Sequence, residues 1–184
     1  MSTGESNIAS EVPVADLIAK GGDVKIHGRT MGEIYTFFHS NVKFAALLLE
    51  GVVAERAFYD VGDVRYDVFA ERSSTLLGDW TLLTRVGGNA AAQLRANWAR
   101  GEGELITREA HRYVLKTTKG PKPHTDIKRE VGDRLILTIS SHGFPAVRDV
   151  VVHPSETLAD EFHAILSLVV FYLVVIDHAF AASS

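Results

Sequence analysis

The chain has 184 residues, no cysteine and a formal net charge of −4. That length supports one domain with its own core. The missing thiols exclude disulfides, thiolate metal sites and cysteine nucleophiles, and the acidic balance makes nucleic acid an unexpected partner.

Met1 to Pro13 is polar and lacks the basic-then-apolar pattern of a secretory leader. Residues 1–13 read as a disordered tail and 14–184 as a single globular domain, expected in the cytoplasm. Val14 to Lys20 predicts a short helix stopped by Gly21-Gly22. Val24, Ile26 and Gly28 alternate with Lys25 and His27, which predicts a strand; Glu33 to Phe38 predicts another.

Val42 to Tyr59 supports two readings. Ala45 to Leu49 and Ala54-Glu55-Arg56 favour a helix by propensity. Alternatively, Glu50-Gly51 turns a hairpin between two apolar strands. Propensity tips the segment to helix. It does the same for the alanine-rich Asn89 to Arg100, which ends at Gly101.

The middle alternates with period two. Strands are predicted at Arg65–Ala70, Trp80–Val86, His111–Thr118, Leu135–Ser140 and Val147–His153. Val61-Gly62-Asp63 and Val131-Gly132-Asp133 each launch one, and Lys119-Gly120-Pro121-Lys122-Pro123 is a break.

Ala164 to Ile176 is a run of hydrocarbon interrupted only by Ser167 and the Tyr172 hydroxyl. A spanning helix needs about 20 apolar residues, more than this run supplies, and Asp177 follows directly. Ser155 can cap a helix whose first two turns carry Glu156, Asp160 and Glu161. One helix from Glu156 to about Phe180 is therefore predicted, with His178 in its last turn. A helix apolar around its whole girth is buried on every side. A curled or closed barrel supplies such a wall, as does a sheet with further helices or a second subunit. The fold class is α+β: an antiparallel, barrel-like sheet wrapped around a buried hydrophobic C-terminal helix.

This order of strands, with Leu166 to Phe180 (LSLVVFYLVVIDHAF) as the final helix and Arg112 to Thr118 as a barrel strand, resembles the tubby C-terminal-like group. That group includes the plant LURP-one-related proteins and the phospholipid scramblases. The resemblance covers at most Val64 to Phe180 and rests on hydrophobic pattern. It implies a closed barrel threaded by the C-terminal helix, and association with a lipid surface. Residues 1–60 have no counterpart in it, the predicted helices at 42–59 and 89–100 run against it, and no scramblase-type calcium loop is visible.

Arg108 to Arg134 holds eight basic and four acidic residues, a local +4 that leaves −8 on the remainder. Arg108, Arg112, Lys116, Lys119, Lys122, Lys128 and Arg129 are the candidate contacts for an anionic ligand or surface; the same lysines would also serve to solvate a strand pair. Tyr113 among them could stack on a base or headgroup, or could be one face of an amphipathic strand. Trp80 and Trp98 read as core or barrel-rim residues.

No dinucleotide, P-loop or nucleophile-elbow motif is present. Asp160 and His163 share a helix face at three residues' spacing but lack a third ligand, so no metal or cofactor is expected. A non-enzymatic domain that meets an anionic lipid surface is the leading reading. A small-molecule protein with its pocket at the barrel mouth and a structural homo-oligomer are the alternatives. No catalytic residue is assigned.

Overall fold

The computed structural model describes residues 24–31, 34–39, 42–50, 56–72, 78–142, 147–153 and 161–183. The expected tail, the Val14–Lys20 helix and the capping Ser155 lie outside the described residues.

Among the described residues twelve strands precede one helix. They are β1 (Val24–Met31), β2 (Ile34–His39), β3 (Val42–Glu50), β4 (Arg56–Val61), β5 (Val64–Arg72) and β6 (Asp79–Val86). Then come β7 (Asn89–Asn97), β8 (Glu102–Thr107), β9 (Arg112–Thr118), β10 (His124–Arg129), β11 (Arg134–His142), β12 (Val147–Val152) and the helix α1 (Phe162–Ser183). Each strand pairs antiparallel with its sequence neighbours. β1 also pairs with β12, Val24 opposite Val152 and Gly28 opposite Arg148, so the ladder returns on itself as a closed barrel. Closure leaves no unpaired strand edge.

An up-and-down meander places the connections after even-numbered strands at one end and those after odd-numbered strands at the other. The first end, termed the mouth, carries the turns at 62–63, 87–88, 108–111 and 130–133. β12 also finishes there, and α1 begins there. The far end carries the turns at 98–101 and 119–123.

Inward positions alternate strictly where large apolar residues recur. β6 points Trp80, Leu82 and Thr84 inward, and β9 points Tyr113 and Leu115 inward. The helix fills the space they enclose: every residue from Ala164 to Ile176 is at most 7% exposed, whereas Asp177 is exposed. Each fully buried Val, Leu, Ile or Phe contributes about 1.5–3 kcal/mol. That outweighs the few tenths of a kcal/mol by which Val169, Val170, Val174, Val175 and Ile176 disfavour helix. Buried Ser167 is satisfied: its hydroxyl donates to the Ala164 carbonyl (2.8 Å) and lies 3.2 Å from Thr84 Oγ1. No helix among the described residues is long and apolar enough to cross a membrane.

Both predicted internal helices are strands. Val42–Glu50 is β3 and residues 56–59 begin β4, with Ala45, Leu47 and Leu49 inward and Leu47 and Leu49 opposite Tyr59 and Ala57 across the sheet; residues 51–55 lie outside the described residues. The two strands pair antiparallel, as in the hairpin reading, while Gly51 of the expected turn lies outside the described residues. Asn89–Arg100 contains β7, whose inward residues are Ala92, Leu94 and Ala96. α1 runs closest to β5, β6 and β7. Two inward alanines leave room for its backbone, so the alanines that signal helix by propensity are here the seat for another helix. β8 and β10 were not predicted. Glycine and two glutamates mask β8, and β10 shows only Thr125 and Ile127 inward. α1 also begins later than predicted. Glu161 precedes it as the cap, its carbonyl accepting from Ile165 N–H (3.0 Å), and no acid stands in its first turn. Residues 154–160 lie outside the described residues, and His178 precedes the last turn.

Candidate functional site at the barrel mouth

The polar chemistry of the mouth gathers where α1 enters. Glu161, 6% exposed, turns its carboxylate to the ends of β8 and β9. Oε1 accepts from Thr107 Oγ1 (2.6 Å) and from His111 Nδ1 (2.7 Å), and Oε2 accepts from the Tyr113 hydroxyl (2.5 Å). The Thr107 hydroxyl in turn accepts from the His111 backbone N–H (3.3 Å). Three donors on one buried carboxylate give it the partners that burial of a charge demands. Burial raises the Tyr113 phenol well above its usual range, the Glu161 bond and charge raise it further, and Arg129 opposes them. Tyr113 therefore stays a donor. It is 1% exposed and faces inward, so the stacking role considered for it is excluded.

Elsewhere around the helix entrance, His163 meets β4 and β5. Its Nδ1 lies 2.8 Å from the Tyr59 hydroxyl, and its ring packs against Tyr59, Tyr66 and Phe162. Burial pushes His163 down to about 4 and Tyr59 well above its ordinary value. The imidazole is therefore neutral at pH 7 and shares one hydrogen bond with the Tyr59 hydroxyl. His163 is a core-wall residue held by a tyrosine. Among the described residues no group of three or more His, Asp or Glu could hold a metal; Asp160 lies outside them.

The seven predicted basic residues do not converge on one pocket. Arg108, Arg112, Lys128 and Arg129 stand at or near the mouth. Lys116 lies on the outer wall, and Lys119 and Lys122 lie on the far-end loop. Several meet acids or carbonyls. Arg112 pairs with Glu104 (2.5 Å) and Lys128 with Asp133 (3.9 Å). Arg108 donates to the Ala90 carbonyl (3.0 Å) and Lys119 to the Trp98 carbonyl (2.6 Å). Lys116 faces Glu102 on β8 and Asp126 on β10 across the sheet. The +4 of the segment is thus interleaved with acids that adjoining strands and turns supply.

Trp80 is a core residue at 2% exposure, and Trp98 is a half-buried rim residue against Tyr172. An open groove of about 770 Å³ crosses the outer wall from β6 to β9, with Arg95, Glu102, Glu104 and Lys116 around a partly exposed Val114; no histidine lines it. The Glu161 knot escaped sequence reading because its partners are 48 to 54 residues away. No protein-family model, curated protein or solved structure matches the chain.

Proposed function

We propose that this chain is a non-enzymatic, helix-threaded barrel of the tubby C-terminal-like kind that docks on an anionic lipid surface through its mouth. The observation that carries this reading is the grouping of four basic residues at one barrel end: Arg108 on the β8–β9 connection, Arg112 at the start of β9, and Lys128 and Arg129 at the end of β10. The closed ring of strands around the C-terminal helix supports the family reading. The buried helix occupies the space that an internal ligand would need, which favours a surface role over catalysis in the barrel interior. Lys119 and Lys122 belong to the opposite end and cannot meet the same plane as the mouth.

Each basic residue near an anionic membrane surface contributes about 1 kcal/mol, screened over about 10 Å at 0.1 M salt. Co-sedimentation with phosphatidylcholine vesicles, with and without phosphatidylserine, tests the proposal. Binding is expected only with phosphatidylserine and should fall as salt rises. Arg108→Glu with Lys128→Glu should lower it by about tenfold or more, since each reversal removes and inverts one such contribution. Lys122→Glu should leave it nearly unchanged. Binding that ignores lipid charge and salt, or that Lys122→Glu weakens equally, sinks the proposal.

A further inference from the structure

We infer that the barrel meets the bilayer mouth-first, with the turn tips at Val131 and Val64 entering the interfacial region. This rests on the lipid-docking reading above and adds its geometry. Val131, in the β10–β11 turn, is 80% exposed, and Val64, the first residue of β5, is 44% exposed. Val131 crowns the β10–β11 turn and Val64 leaves the β4–β5 turn. Both turns follow even-numbered strands and so lie at the same end.

Those two turns are six strands apart in a ring of twelve, which puts them on opposite sides of the mouth. Two apolar contacts across the ring orient the barrel axis toward the membrane normal, where one contact would leave it free to tilt. Both turns are tight. Gly62 (φ 55°), Gly132 (φ 85°) and Asp133 (φ 49°) hold left-handed backbone that bends the chain sharply, so the tips are presented without a loop to be ordered on binding. Lys128 and Arg129 precede the Val131 tip and Arg134 follows it, with the exposed acids Glu130 and Asp133 between them and the valine. An exposed valine alone is ordinary on a protein surface. A pair of turn-tip valines at one end, beside arginines and lysines, matches an interface that is apolar beneath and anionic at its surface. The other exposed large apolar residues among those described are Val114, which lines the outer-wall groove, and Ile34, which starts β2 at the far end.

The absence of cysteine makes the test direct. Val131→Cys, Val64→Cys and Lys122→Cys each provide one site for an environment-sensitive nitrobenzoxadiazole dye. On equimolar phosphatidylcholine/phosphatidylserine vesicles the dyes at 131 and 64 should brighten and shift to the blue, while the dye at 122 should not change. Val131→Asp should weaken binding about tenfold, the worth of one buried valine, and leave the melting temperature unchanged. If the protein co-sediments but the dyes at 131 and 64 stay in water, mouth-first insertion is wrong and the lipid-docking reading stands. A dye at 122 that alone shifts reverses the orientation. No co-sedimentation under any lipid composition overturns both.

Discussion

The two ends of the barrel hold the same helix by different physics. At the mouth the contacts are directional: a buried carboxylate with three donors on one side, and a partly buried imidazole hydrogen-bonded to a tyrosine hydroxyl on another. At the far end the contacts are mostly faces. Trp98 meets Tyr172 edge-on with ring centroids 6.3 Å apart, and Lys119 covers Trp98 with its ammonium 5.0 Å from the ring. Packing between those ends opposes sliding less directionally, through the Ala92–Ala96 seat and the Ser167–Thr84 contact. Hydrogen bonds do not tolerate it. The mouth therefore sets the depth and rotation of α1, while the far end adds area.

If that division is right, the largest single effect belongs to Glu161. Glu161→Ala leaves the Thr107 and Tyr113 hydroxyls buried without their acceptor and removes the partner of His111. The expected loss is about 3–5 kcal/mol, as when one partner of a buried charged network is deleted. Urea unfolding measures it. A loss under about 1 kcal/mol would show that packing alone seats the helix.

The second test uses pH. His163 is held at about 4 by burial, against 6.5 for the free side chain. The unfolded chain takes up that proton first as pH falls. Stability is therefore complete above about 6.5, declines through the interval down to about 4, and is lost below it. At roughly 1.4 kcal/mol per pKa unit the full loss approaches about 3 kcal/mol. Tyr59, Tyr66 and Phe162 pack against the ring. His163→Phe should flatten the part of the stability curve between pH 6.5 and 4 that this residue causes. An unchanged slope would place the titrating group elsewhere.

A third, smaller effect separates the far end from the mouth through the backbone. Gly101 sits at φ 64°, and a Cβ there would lie 2.7 Å from the Thr117 carbonyl oxygen. Gly101→Ala should cost about 1–3 kcal/mol from strain at that backbone conformation plus the clash. Gly88, at φ 80° with open space around its Cβ position, should cost only the conformational part, about 1 kcal/mol. Equal losses at the two sites would mean that the contact with β9 yields freely.

How much of this was legible in the sequence follows from the range of the interactions. β6 and β9 were readable because large apolar residues alternate within each strand, a local signal. The apolar helix was readable for the same reason, and its all-round hydrophobicity correctly required a surrounding wall. β7 was not, because Ala92 and Ala96 are small for the sake of a helix that lies some seventy residues later in the chain. Glu161 was read as an acid near a helix start. Its role as a three-fold acceptor depends on β8 and β9 meeting the start of α1, which no local spacing encodes. The basic segment was visible as charge. Its division between mouth and far end emerges only from the up-and-down order of the strands.

The smallest effect completes the contrast. Lys119 donates to the Trp98 and Ala99 carbonyls (2.6 and 3.3 Å) and lies over the Trp98 ring. Lys119→Met keeps most of the apolar stem but removes the ammonium. An exposed cation–π contact contributes about 0.5–1 kcal/mol, and the carbonyls it bonds can turn to water at little cost. The expected loss is therefore at most about 1 kcal/mol, well below that of Glu161→Ala. The same substitution removes one of the seven basic residues but from the end that faces away from the membrane in the proposed orientation. Vesicle binding should hardly change. A large loss of stability would make the far end a second anchor, and a large loss of binding with stability intact would move the lipid contact to that end. Both measurements on one variant thus test the assignment of roles to the two ends at once.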